Sequence, residues 1–217
     1  MPLEGDIEAA LNRRPDVLID YTHPLAVRRH VDLAVARGIP VVIGTSGLTG
    51  EDFAEIDAAA RHAGVGVATG NFSLTAALLQ HLARLAARHV PSIAVVEQGS
   101  NRKPDAPSGT ARELAELLAR ARNLPPAERP ADPIGPPQAL GADVAGIPVH
   151  SIRLPGTSPV VEVILAAPGE RLVLRHEEQE DPAIFVAGTL LAARRVQHLT
   201  GLVRGLDELM FSTASDD

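Results

Sequence analysis

The sequence predicts an α/β protein: a partial doubly wound parallel sheet followed by a second α+β domain built on a mixed sheet. Three observations predict this class. Short apolar, β-branched runs alternate with helix-length stretches over residues 17–89, which is the pattern of parallel βαβ units. Three strand-like runs then succeed one another over residues 147–176, the last two joined by Pro168-Gly169, a hairpin turn. Finally, 45% of the 217 residues are hydrophobic, enough to bury a core, although four Phe and one Tyr are its only aromatics.

The elements follow in order. Residues 1–14 hold one glycine and a short helical pattern. Residues 17–21 are a continuous apolar run between Pro15 and Thr22, a buried strand. Pro24 suits an early helical position, and the helical pattern runs to Arg37, where Gly38 stops it. Residues 40–43 form the next strand; Thr49 opens a helix that ends near Gly64. Residues 65–68 are a third strand and 73–89 a long helix. A strand at 93–96 leads into a polar loop and a helix at 109–122, for which Thr110 and Glu113 have capping-box spacing. Residues 123–146 carry six prolines and predict a long loop. Strands are expected at 147–154, 160–166 and 172–176, and a closing helix at 185–198. Two domains follow: residues 1–71 completed by 183–217, and residues 72–182.

Charge and composition exclude several classes. Twenty basic against 27 acidic residues leave a net charge of −7, unsuited to a general nucleic-acid binder. There is no cysteine, hence no disulfide and no thiolate metal site. The eight histidines are scattered singly, so no metal site is expected. No membrane-spanning run is visible, and a cytoplasmic protein without a membrane partner is expected.

The candidate site is Glu97-Gln98-Gly99-Ser100-Asn101-Arg102-Lys103-Pro104-Asp105-Ala106-Pro107-Ser108-Gly109-Thr110-Ala111. Ser108, Gly109 and Thr110 fall where a helix begins, and its unpaired N–H groups favour an anion there. Lys103 adds a cation, Ser100 a hydroxyl, and Arg153 on a later strand a second cationic contact. Lys103 and Asp105 are the candidate catalytic pair, Lys103 as acid or anchor and Asp105 as the group that orients it. Gly44-Thr45-Ser46-Gly47 and Thr69-Gly70-Asn71-Phe72-Ser73 are loops at the carboxyl ends of strands, where open α/β sheets bind ligands.

This stretch resembles the signature of the dihydrodipicolinate reductase family, Glu-x-His-His-x-x-Lys-x-Asp-Ala-Pro-Ser-Gly-Thr-Ala. The lysine, the aspartate and the Ala106 to Ala111 tail are present; Gly99 and Ser100 stand where the family has its two histidines. Asp20-Tyr21-Thr22-His23-Pro24, Gly44-Thr45-Ser46-Gly47 and residues 146–154 extend the likeness. The resemblance implies a Rossmann-like first domain and a second domain whose sheet makes a tetramer interface. It also implies that Gly44, Thr45, Gly47, Asn71 and Phe72 would contact NADPH or NADH if a nucleotide binds.

Three departures shape the functional expectation. No Gly-x-Gly-x-x-Gly precedes Asp16, so the cofactor domain reads as truncated, with the strand at 17–21 at an edge needing cover from a partner or the N-terminal segment. The histidine pair is absent. Residues 177–182 are acidic or amide but for Pro182, where the family has an arginine that reaches the cofactor. The expectation is a repurposed, nicotinamide-independent enzyme with no cofactor, which isomerises, dehydrates or cyclises a small anionic metabolite. Its alternatives are a retained NADPH- or NADH-dependent reductase and a non-catalytic metabolite-binding protein or half of a split enzyme. A homotetramer is expected.

Overall fold

The computed structural model describes residues 6–126, 134–179 and 181–211. The chain forms two compact units, residues 1–77 with 182–217, and residues 78–181.

The first unit is built on a four-stranded parallel sheet in the order β1 (Leu18–Asp20), β2 (Val41–Ile43), β3 (Gly66–Thr69), β9 (Gly201–Arg204). Alternation along the strands sends side chains to both faces. Val41, Ile43 and Val67 enter one core with Leu11 of α1 (Ile7–Leu11), Val27 and Val31 of α2 (Pro24–Val35), and Ile56 and Ala60 of α3 (Gly50–Ala63). Val42 and Ala68 enter the opposite core with Phe72, Ala77, Ala192, Val196 and Leu206. That second layer holds α6 (Val186–Arg195) and α7 (Leu206–Phe211). Helices on both faces make the sheet doubly wound, and β1 and β9 are its edges among the described residues.

Local signals set the ends of these helices. Thr49 and Asp52 cap α3 reciprocally: the hydroxyl accepts the Asp52 N–H while the carboxylate accepts the Thr49 N–H. Gly64 ends the helix in the left-handed region at φ 68°. His23 caps α2, its Nδ1 accepting the Leu25 N–H, and Pro24 takes the first helical position.

The second unit is built on a five-stranded mixed sheet in the order β5 (Ala142–Val144), β6 (Ile147–Leu154), β4 (Ser92–Ser100), β7 (Val160–Ala167), β8 (Glu170–Glu177). β4 and β6 are parallel; the other pairs are antiparallel. One face packs Ile93, Val95, Val149, Val163 and Leu165 against α5 (Gly109–Ala121) and the later part of α4 (Leu74–Ala87). The register places Ala94, Val96, Ile152, Ile164 and Val173 on the other face, where Ile152 and Val173 are exposed.

Several expectations need correction. β4 continues to Ser100, so Glu97 to Ser100 are strand residues, because β6 pairs with all four and β7 with Glu97 and Gln98. The proline-rich stretch is not all loop: a 3-10 turn (Pro137–Leu140) and β5 lie in it, while residues 127–133 fall outside the described residues. The closing helix is shorter than expected, with 3-10 turns on either side. β9 and α7 were not expected at all; β9 completes the parallel sheet beside β3.

Close packing makes specific glycines indispensable. A Cβ on Gly188 would lie 2.1 Å from the Phe72 carbonyl oxygen and 2.7 Å from Leu206 Cδ2. Gly188→Ala is therefore expected to destabilise the first unit by about 1–3 kcal/mol or more, since the obstacle is backbone. Gly38, left-handed but in open space, should cost only about 1–2 kcal/mol as alanine. Thermal unfolding of the two variants checks the order.

Candidate functional site

The sequence-predicted residues fall into two groups, one in each unit. In the second unit the organiser is Glu97. It lies on the inward face of β4, in phase with Ile93 and Val95, and is 3% exposed. Its Oε1 accepts the Ser108 N–H at 2.8 Å, the Ser151 hydroxyl at 2.7 Å and Arg153 Nη2 at 2.7 Å. Burial works to raise its pKa, but the hydrogen bonds from Ser108, Ser151 and Arg153 outweigh it and hold the carboxyl below its ordinary value.

Arg153 is therefore not the free anion contact expected of it. Its Nη2 is shared between Glu97 and the Asp105 carbonyl, at 2.7 Å each, and Nη1 donates to the Ile152 carbonyl. The reason is strand register: Gly99 and Arg153 are partners on β4 and β6, so the guanidinium lies over the start of the signature loop. Its Nε is buried without an acceptor among the described residues.

The helix start also differs from expectation. Ser108, not Thr110, is the N-cap of α5, its hydroxyl accepting the Ala111 N–H at 3.2 Å. Glu97 accepts the Ser108 N–H, which fixes the cap two residues earlier than the Thr110–Glu113 spacing suggested. Gly109 N–H leans on Asp105 Oδ2 at 3.3 Å, and Lys103 Nζ is 3.9 Å from Asp105 Oδ1. Thr110, second in the helix, keeps an N–H without an intrahelical acceptor. Ser100 turns its hydroxyl to the Arg102 N–H at 3.3 Å. Lys103, Asp105, Gly109 and Thr110 thus share one exposed surface above the buried Glu97–Arg153 pair. Lys103 is also the only lysine in the sequence, every other cation of side-chain type Lys or Arg being arginine. That lone lysine is a compositional signal pointing to the same place.

In the first unit, Gly44, Thr45 and Gly47 follow β2, and Asn71 and Phe72 follow β3. A Cβ on Gly44 would fall 2.1 Å from the Tyr21 ring, so glycine is required for the loop to pass it. Gly47 is left-handed at φ 103° and packs on Pro24. Asn71 Oδ1 accepts the Ser73 N–H at 2.9 Å, an Asx turn that presents the start of α4. Phe72 is buried and meets the Tyr21 ring edge-on at 6.4 Å; the Tyr21 hydroxyl is 2.7 Å from Thr189 Oγ1. Asp20 closes β1 and is 1% exposed. Its Oδ1 accepts the Thr45 hydroxyl at 2.6 Å and the Thr22 hydroxyl at 2.9 Å; its Oδ2 accepts His30 Nδ1 at 2.7 Å. Glu97, Asp20 and Tyr21 entered the sequence reading only as members of motifs, with no role assigned, and His30 did not enter it. The inward parity of Glu97 on an otherwise apolar strand was the available clue.

No group of metal-ligating side chains is present among the described residues, and no described helix is long and apolar enough to cross a membrane.

Known proteins settle the family. The family model described as dihydrodipicolinate reductase, N-terminus, matches residues 1–72, and the C-terminus model matches residues 73–210. The chain belongs to the dihydrodipicolinate reductase family. It is 40% identical over 209 residues to the 4-hydroxy-tetrahydrodipicolinate reductase of Mycobacterium sp. (strain KMS), covering 95% of this chain and 85% of the relative. It is 38% identical over 198 residues to that of Geobacillus kaustophilus (strain HTA426), covering 91% and 74%. Among solved structures, dipicolinate-bound dihydrodipicolinate reductase from Paenisporosarcina sp. TG-14 matches with a TM-score of 0.83 at 30% identity, covering 96% of this chain and 81% of that one.

These findings overturn the expectation of a nicotinamide-independent isomerase, dehydratase or cyclase without cofactor, and they give no support to a truncated cofactor domain. Relatives matching nearly the whole chain carry the reductase name, and the N-terminal family model covers the first unit's loops. The loops after β1, β2 and β3 are present and hydrogen-bonded, Thr22 and Thr45 to Asp20 and the Ser73 N–H to Asn71.

The Glu97 carboxylate yields a pH expectation. Its pKa is lowered on folding, so the stability it contributes is present above the unfolded value, ~4.3, and is lost as pH falls through the folded value. Glu97→Gln should flatten the acid side of a stability-versus-pH curve. Glu97→Ala leaves the part-buried Arg153 without its carboxylate and should cost about 3 kcal/mol at neutral pH, the low end for a broken buried pair. Urea unfolding across pH 3–7 is the measurement.

Proposed function

We propose that this protein is an NADPH- or NADH-dependent reductase of 4-hydroxy-tetrahydrodipicolinate. The observation that carries the reading is the 40% identity over 95% of the chain to a relative of that name, joined to a signature loop folded around Lys103 and the Thr110 helix start. Each reactant has its own group of residues. The second-unit group suits an anionic substrate: Lys103 supplies a mobile point charge, and Thr110 a backbone N–H at the positive end of a 13-residue helix. Asp105 orients Lys103. The first-unit loops, Gly44 to Gly47 and Asn71 to Phe72, hold the nicotinamide end of the reductant, because glycines there let a ligand approach the backbone.

Reduction of a cyclic imine-type substrate needs a hydride from the nicotinamide and a proton from a nearby acid. Gly99 and Ser100 offer no imidazole for that proton. The Lys103 ammonium, the nearest acid on the signature loop, supplies it directly or through water.

The protein is a homotetramer in this reading, its mixed sheets paired through the uncovered face that carries Val96, Ile152, Ile164 and Val173. Light scattering at micromolar concentration should give four times the 22.8 kDa chain mass; a monomer would contradict it.

The activity itself is tested by following nicotinamide absorbance with freshly generated substrate. Turnover should be detectable with at least one nucleotide, and Lys103→Ala should lower kcat/KM about 10- to 150-fold through loss of a charge-assisted hydrogen bond worth ~1.5–3 kcal/mol. Arg102→Ala should change it less than about twofold, within the range of surface substitutions. Absence of turnover with both nucleotides would refute the reading.

A further inference from the structure

We infer that Asp20 and His30 are positioning residues for the nucleotide, acting through Thr45 to set the loop of Gly44 to Gly47. This rests on the reductase reading above, in which that loop receives the nicotinamide end.

The argument starts from hydrogen-bond valence. A threonine hydroxyl has one proton to donate, and Thr45 places its proton on Asp20 Oδ1 at 2.6 Å; the same hydroxyl is 3.3 Å from the Asp20 carbonyl. Thr45 therefore donates nothing to a ligand. Its function is to be held. The backbone repeats the connection: Gly44 N–H donates to the Asp20 carbonyl at 2.9 Å and Thr45 N–H at 3.2 Å. The loop after β2 is thus tied twice to the end of β1, by main chain and by side chain.

Asp20 is itself immobilised. Thr22 donates to Oδ1 through both its N–H and its hydroxyl, at 3.0 and 2.9 Å, which closes the turn after β1. His30, one of the residues of α2, donates Nδ1–H to Oδ2 at 2.7 Å. A carboxylate only accepts, so this contact places the His30 proton on Nδ1. One buried carboxylate joins the turn after β1, the loop after β2 and the body of α2. Both loops lie at the carboxyl end of the parallel sheet, where ligands of such sheets bind.

The cluster is separate from the cap of the helix that follows the loop. α3 already has its own reciprocal cap at Thr49 and Asp52, independent of Asp20. Tyr21 covers Gly44 from the other side, so the loop is confined between the Asp20 tether and the Tyr21 ring. A loop fixed in this way presents backbone to a planar ring with little left to reorganise on binding.

Calorimetric titration of NADPH and NADH into the full chain tests the assignment, with KM for the imine-type substrate measured in parallel. Thr45→Val and Asp20→Ala should each weaken the nucleotide about tenfold or more, the scale of one charge-assisted hydrogen bond, while substrate KM stays within about twofold, as for independent sites. Thr45→Ser should restore wild-type affinity, since it returns the hydroxyl. Thr49→Val should lower Tm but leave nucleotide affinity unchanged. Thr45→Val removes a single hydrogen bond, so it carries the test should Asp20→Ala fail to fold. If Thr45→Val binds as wild type does, the positioning role is wrong while the reductase reading stands. The role is equally wrong if Thr45→Val weakens nucleotide and substrate alike. If the wild-type chain binds neither nucleotide, both fall together.

Discussion

The Glu97 carboxylate is the constraint on which the second unit's functional surface depends. A buried charge is tolerable only when paired and hydrogen-bonded. Glu97 meets that demand by drawing three donors onto one oxygen: the N–H of Ser108 at the start of α5, the hydroxyl of Ser151 on β6, and the guanidinium of Arg153 on the same strand. The signature loop is held at both ends by this arrangement. Arg153 grips it through the Asp105 carbonyl, and Ser108 anchors the helix to which it leads. Lys103 and Thr110 can be exposed and still be placed, because the groups beneath them are fixed.

The first unit repeats the device with different chemistry. Asp20 ends β1 as a buried carboxylate and gathers Thr22, Thr45 and His30. In both units burial opposes the charge, and hydrogen-bond donors outweigh it, so that the carboxyl pKa falls below its ordinary value. In both, some of the groups placed against a ligand in the proposed reaction are small or exposed, Gly44 and Gly47 in one unit and Lys103 in the other. Rigidity resides one layer deeper, in acids that touch no ligand.

The departures from the family signature take a different weight in this light. Gly99 sits beside the Arg153 guanidinium and the Lys103 stem, and a Cβ there would meet only ordinary contacts at 3.7 Å or more. The backbone at Gly99 and Ser100 is intact as strand, paired with β6. The acidic residues at the end of β8 and just after it are likewise not all bare charge: Glu177 pairs with Arg175 and Glu178 with His176.

The sequence by itself determined the alternation of strand and helix, the hairpin at Pro168-Gly169 and the place of the signature loop. Each is local: periodicity, a β-branched run or a turn residue encodes it within a few positions. It also determined the family, through an ordered run of residue identities around Lys103 and Ser108. Only the tertiary structure decided what depends on distant partners. β9 is four residues long and has no strand signature beyond its pairing with β3. Arg153 reads as a free cation until register sets it beside Glu97, 56 positions away. Thr110 reads as the cap until the same carboxylate takes the Ser108 N–H. Asp20, Thr45 and His30 carry no joint pattern along the chain, because a hydrogen bond between a strand end, a loop and a helix face is a property of the packed sheet alone.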